Sequence, residues 1–250
     1  MQRYFLNQTA QNEPFPLDEK NRHHLMTVLR GQVGTKLELV DNQQNLYLAE
    51  VVEVAATDTM VKIKKPLTSE VAQLELPVAV TLILGLAKGD KPELVVQKAT
   101  ELGVQRIIFT ETQWSVVHWG SKAERKLVRL QKIAEGAAEQ SHRLSVPTVE
   151  YYASLKQVPV DEQSVRMVAW EESAKQGEKR QFVKMIEAAM HSGRLTAVIG
   201  PEGGLSGEEL AWLQENDFTA AGLGPRILRA ETAPLYLLSA VSYATELLMN

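Results

Sequence analysis

At 250 residues the chain has room for two domains of ordinary size, and 44% hydrophobic with 23% charged residues excludes a disordered or fibrous protein. The absence of cysteine excludes disulfides, thiolate metal sites and cysteine nucleophiles, and the longest apolar run, residues 78–87, is too short to span a bilayer. A net charge of −4 argues against nucleic acid as a partner of the whole surface; yet residues 88–145 hold ten Lys/Arg against seven Asp/Glu, and screening over about 8–10 Å lets one basic face act alone. A soluble cytoplasmic protein without a signal peptide is expected.

Taken in chain order, residues 18–30 place Leu25, Val28 and Leu29 at helical spacing, with Asp18 positioned to cap the helix and Gly31 past its end. Residues 36–40, 46–54 and 60–63 read as strands separated by the turns Asp41-Asn42 and Thr57-Asp58, so the front of the chain is a small β-rich unit. A proline-bounded linker, residues 66–77, sets a domain boundary near residue 72, dividing the chain into 1–72 and 73–250. The remainder alternates strands and helices, the pattern of an α/β sheet with crossover connections. Strands are expected at 78–84, 106–109, 165–169, 195–199 and 219–223. Helices are expected from Asp90 to Gly103, from a capping box at Ser121 with the stripe Leu127, Leu130, Ala134 and Ala137, from Ser206 with Glu209 three residues on, and over 232–248.

Two stretches carry chemistry. In Ile199-Gly200-Pro201-Glu202-Gly203-Gly204-Leu205-Ser206 a buried strand runs into a glycine-rich turn, and glycine lets backbone approach a ligand closely. The alternative is a tight turn with no ligand. Neither a dinucleotide fingerprint nor a Walker sequence is present. In Leu223-Gly224-Pro225-Arg226-Ile227-Leu228-Arg229-Ala230-Glu231-Thr232-Ala233-Pro234 the same arrangement of strand, Gly-Pro turn and helix start recurs. Successive parallel strands end on the same side of a sheet, so the two loops imply one pocket. A solvated loop with Glu231 capping the last helix is the alternative. Lys122, Arg125, Arg129 and Lys132 share one face of the long helix, either solvated or in contact with phosphate. His23 and His24 suggest a packed or capping histidine, and no metal site is expected.

Together these two stretches resemble the paired C-terminal motifs of the RsmE family of 16S rRNA uracil-N3 methyltransferases, of the SPOUT class. Similarity extends along nearly the whole chain, through Arg3-Tyr4-Phe5, His23-His24-Leu25, Lys88-Gly89-Asp90-Lys91, Gln97-Lys98-Ala99-Thr100-Glu101-Leu102-Gly103 and Ala138-Glu139-Gln140-Ser141. The resemblance implies a small N-terminal PUA-like β-barrel that binds RNA, a mostly parallel α/β domain with a C-terminal trefoil knot, a homodimer, and 16S rRNA of the small ribosomal subunit as substrate. It implies S-adenosylmethionine bound by Glu171, Gly200, Glu202, Gly204, Leu223, Gly224, Ile227, Leu228 and Ala233. Arg229 is then expected at the target base, Arg226 at its phosphate or carbonyl, and Glu231 orienting an arginine or accepting the proton. RNA contacts are expected from Arg3, His24, Arg30, Lys88, Lys91, Arg125, Arg129 and Arg143. Two segments depart from the family pattern: Trp114 stands where a basic residue is usual, and His142 and Leu144 where Gly and Asn are common. Both are expected on the RNA side, away from the cofactor loops. Alternative readings are methylation of a ribose 2′-hydroxyl or a transfer RNA, or an RNA-binding assembly factor without catalysis.

Overall fold

A computed structural model describes residues 1–55, 57–67, 74–171 and 180–248. The chain divides into two compact units, residues 1–75 with 138–145 and residues 76–137 with 146–250. The expected boundary near 72 falls outside the described residues, and residues 138–145, expected in the second domain, group with the first unit. Among the described residues no helix is long and apolar enough to cross a membrane.

The first unit is a five-stranded sheet ordered β1-β3-β4-β5-β2, formed by β1 (Arg3–Phe5), β2 (Phe15–Pro16), β3 (Lys36–Val40), β4 (Leu46–Val54) and β5 (Thr59–Pro66). β3, β4 and β5 pair antiparallel in sequence, while β1 joins β3 in parallel. Sequence reading has no counterpart for β1 and β2, which are too short to establish a period. Alternate residues Leu37, Leu39, Ala49, Val51 and Val61 face one core with Tyr4, Phe15 and Leu25. Asp18 accepts from the Asn21 N–H at 2.8 Å and so starts α1 (Glu19–His23), which runs on into one π-helical turn, His24–Val28. Asp41 holds its turn by accepting from the N–H groups of Gln43 and Asn45 at 2.9 Å each.

Two arginines expected to contact RNA are interior to this unit. Arg3 is 3% exposed; its Nε donates to Glu38 at 2.8 Å, and its Nη1 donates to the carbonyl oxygens of His142 and Arg143. Arg143, also 3% exposed, forms an ion pair with Glu75, whose Oε1 further accepts from the Leu144 N–H at 2.7 Å. Buried guanidiniums require such partners, because an unpaired charge in a poorly polarisable interior is costly. The departures at 142 and 144 belong to the same construction: His142 Nδ1 lies 3.1 Å from Glu38, with a positive φ of 58°, and Leu144 packs with Val40, Leu46 and Leu67. His24 is half-buried against the Tyr4 hydroxyl at 3.0 Å, and Arg30 is exposed.

The second unit is a six-stranded, wholly parallel sheet ordered β11-β9-β10-β6-β7-β8. Its strands are β6 (Ala79–Gly85), β7 (Arg106–Thr110), β8 (Thr148–Tyr152), β9 (Val165–Ala169), β10 (Arg194–Ile199) and β11 (Thr219–Ala221). The central strands are mostly apolar because both faces are covered, with charged residues such as Arg106, Glu150, Arg166 and Arg194 confined to partly exposed positions. Leu82, Leu84, Ala197 and Ile199 face one core with α2 (Lys91–Glu101), α3 (Ala123–Gln140), α4 (Gln181–Ser192) and α6 (Thr232–Ser242). Ile83, Ile108, Val168 and Val198 face the other, with Leu213 of α5 (Gly207–Glu215). The capping box at Ser206 forms as expected, whereas Ser121 lies inside a 3₁₀ turn, Gly120–Lys122, and does not cap α3.

Replacing Glu75 by alanine strips the counter-charge from a buried guanidinium. Urea denaturation should show a loss of roughly 2–3 kcal/mol, lower than for a fully buried pair because Glu75 is partly solvated.

Candidate functional site

In the parallel sheet every loop that follows a strand leaves at the same edge. The chain passes from β6 to β7 in one direction and from β10 past β9 to β11 in the other. The order therefore reverses between β6 and β10, where open α/β sheets leave a crevice. A cavity of about 530 Å³ lies at this edge. The loops after β9, β10 and β11 line it, joined by Lys91 from the start of α2 and Trp114 from the loop after β7. Its size suits a small organic ligand, for which sites of roughly 300–1,000 Å³ are usual.

Both sequence-predicted loops meet here. Glu171, Gly200, Glu202, Gly204, Leu223, Gly224, Ile227, Leu228 and Ala233 all line the cavity, as do Arg226 and Arg229. The loop after β10 is a close hairpin: a Cβ on Gly200 would stand 2.8 Å from the Gly204 carbonyl carbon, so no side chain fits there. Across from it Leu223, Ile227 and Leu228 supply apolar surface, with Ile227 left 72% exposed.

Charge in the site is organised around one ammonium. Lys91 Nζ lies 2.7 Å from Glu202 and 3.2 Å from Glu231, linking the loop after β10 to the start of α6. Hydrogen bonding to Glu202, and then to Glu231, holds the Lys91 ammonium above the usual lysine range. Burial works to raise the Glu202 carboxyl, but the Lys91 ammonium and the N–H groups of Glu202 and Lys88 outweigh it and hold the group below the usual carboxylate range. Glu231 is held low chiefly by its own backbone N–H, which with Lys91 overcomes the cost of burial. Glu231 is not part of the cavity lining, and its ion-pair partner is Lys91, where an arginine was one expectation.

The structure brings in residues that sequence reading puts elsewhere. Lys91, expected at RNA, is committed to the two carboxylates. Trp114, expected away from the cofactor loops, lies against Gly203, where a Cβ would come within 3.1 Å of its own Cβ. Trp170 lines the cavity with no preceding signal beyond its place at the end of a strand. Among the other expected RNA contacts, Lys88 and Arg125 are exposed, and Arg129 pairs with Glu93 at 2.8 Å.

A family model described as an RNA methyltransferase domain matches residues 74–242, and one described as an RNA methyltransferase PUA domain matches residues 17–57. Ribosomal RNA small subunit methyltransferase E of Bacillus subtilis is 40% identical over 255 residues, covering 99% of this chain and 98% of its own. The protein of the same name from Rickettsia conorii is 28% identical, covering 95% of this chain and 93% of its own. A crystal structure of Ribosomal RNA small subunit methyltransferase E from Neisseria gonorrhoeae bound to S-adenosyl methionine superimposes with a TM-score of 0.82 at 28% identity, covering 98% of each chain.

Two outcomes test this geometry. Alanine at Gly200 should cost about 1–3 kcal/mol in chemical denaturation, since its methyl group must displace the backbone of Gly204 and Leu205; full stability would refute the close approach. Both carboxyls that clasp Lys91 have lowered values in the folded protein. Their stabilisation is therefore complete above the ordinary carboxylate range and is lost as the pH falls through the lowered values. In Lys91→Met the two carboxyls face each other without a cation. NMR titration should show both moving upward, with the acid-side loss of stability attributable to them reduced to what their backbone N–H groups still supply.

Proposed function

Because the chain belongs to the RNA methyltransferase family, and within it to the small-subunit ribosomal RNA methyltransferases E, we propose that it methylates N3 of a uridine in 16S rRNA using S-adenosylmethionine. The observation that carries this reading is the convergence of all nine expected cofactor residues on one cavity with Arg226 and Arg229. The residues present suit the cofactor. A side-chain-free hairpin at Gly200 allows close backbone approach, Leu223, Ile227 and Leu228 offer apolar contact for an adenine, and the volume accommodates a molecule of that size. When bound, the cofactor supplies an electrophilic methyl group on a sulfonium.

The protein must place the acceptor and favour its anion, since uracil N3 is protonated at neutral pH. Arginine remains charged throughout the working range, so a guanidinium beside O2 or O4 of the base stabilises the negative charge that forms when N3 loses its proton. Each unit by which the N3 pKa falls corresponds to about 1.4 kcal/mol. We assign this role to Arg229 and contact with the phosphate or a carbonyl to Arg226. Glu231 is a poor proton acceptor because its carboxyl is held below the ordinary range; its ion pair with Lys91 supports a positioning role instead. The base must be unstacked to expose N3.

The N-terminal unit, with exposed Arg30, is read as an RNA-binding module, and in the second unit the exposed basic residues Lys88, Lys122, Arg125 and Lys132 are read as RNA contacts. The exposed Tyr236, Tyr243, Leu247 and Leu248 near the C-terminus support a homodimer. A trefoil knot around the cofactor loops and action in the cytoplasm, where small ribosomal subunits are made, complete the reading.

Arg229→Ala should lower turnover by about 10²–10³-fold, the usual effect of removing a group that stabilises a developing anion, while calorimetry shows S-adenosylmethionine affinity nearly intact. Mass spectrometry of small-subunit rRNA from cells lacking the protein should show one base-methylated uridine missing. Loss of a ribose-methylated nucleoside, or an unchanged profile, would refute the assignment.

A further inference from the structure

Trp114 is left 48% exposed on a turn that hydrogen bonds hold. Aromatic side chains gain most of their stabilisation from burial, so a half-exposed one on a fixed turn at a cavity offers a planar partner surface still to be covered. The turn is rigid because the Thr112 N–H donates to Ser115 Oγ at 3.0 Å and the Ser115 N–H donates to the Thr112 carbonyl at 3.0 Å, with both side chains buried. It is also tied to the cofactor loop. One oxygen of Glu209 accepts from the Gln113 N–H at 2.8 Å, and the other accepts from the Ser206 N–H at 2.8 Å in the capping box of α5. A single carboxylate thus sets the Trp114 turn against the glycine hairpin. Trp114 lines the same cavity as Arg226 and Arg229.

We propose that Trp114 is the stacking platform for the acceptor base. The inference rests on the methyltransferase reading and adds the residue that receives the base once it leaves its stack. A flat, uncharged pyrimidine offers a π-face to the indole while its carbonyl edge stays available to guanidinium groups. Stacking of this kind tolerates any base, so Trp114 holds the nucleobase and the arginines select its edge. Trp114 makes and breaks no bond: it fixes where N3 stands relative to the cofactor site. Glu209 acts one step removed, as a positioning residue that keeps the platform aligned with the loop.

The experiment measures methylation of small ribosomal subunits purified from cells lacking the protein, with Trp114→Ala, Trp114→Leu and Trp114→Phe compared with the parent chain, alongside S-adenosylhomocysteine affinity by calorimetry. Alanine and leucine should each reduce kcat/KM on the order of 10- to 100-fold, phenylalanine should retain most of it, and cofactor affinity should be unchanged in all three. Leucine keeps the apolar bulk without the π-face, so it separates stacking from packing. Full activity of the leucine variant, or lost cofactor affinity with normal turnover at saturating cofactor, overturns the platform and puts the indole on the cofactor instead. If the parent chain itself methylates nothing, it is the methyltransferase reading that fails.

Discussion

Everything in the second unit depends on six strands running the same way. A parallel strand cannot return by a hairpin, so each connection must cross a face of the sheet, and each loop after a strand emerges at one edge. The crossovers bury both faces, which is why β6 and β10 are mostly apolar and why their alternate residues divide between two cores. At that edge, three loops distant in sequence become neighbours. Lys91 then binds two of them, because one ammonium between two carboxylates offsets the repulsion the carboxylates would otherwise feel.

The same chemistry is put to opposite uses in the two units. Arg3 and Arg143 are sealed inside the first unit and bonded to Glu38, Glu75 and backbone carbonyls, where they are ties between chain segments far apart in sequence. Arg226 and Arg229 stand exposed at the cavity, where a charge can meet a ligand. Residue type alone does not separate these cases. What separates them is whether a carboxylate from another segment arrives to pair with the guanidinium, and that is decided by tertiary approach.

How much could be read in advance follows the range of the forces involved. β3, β4 and β9 have the bounds their residue pattern predicts, and Asp18 and Ser206 cap as their positions predict, because alternation and capping are settled within a few residues. Signals for two unread elements were present: Phe182, Ile186 and Ala189 recur at helical spacing ahead of a left-handed Gly193, and Thr148–Tyr152 is β-branched and aromatic. β1 and β2 exist only through pairing with distant strands and carry no such signal.

Sequence by itself determined that a glycine-rich loop and a Gly-Pro-Arg loop each follow a strand, and resemblance along the chain supplied the expectation that both serve one cofactor. It could not place Trp114 or Lys91 relative to those loops, nor show that Glu231 pairs with Lys91 or that Arg143 is buried. Those outcomes were decided only by the tertiary structure, because contacts such as Gln113 with Glu209, Lys91 with Glu202, and Arg143 with Glu75 join residues 68 to 111 positions apart. Local periodicity reaches one helical turn or one pleat, and carries no record of which distant side chain will supply the opposite charge.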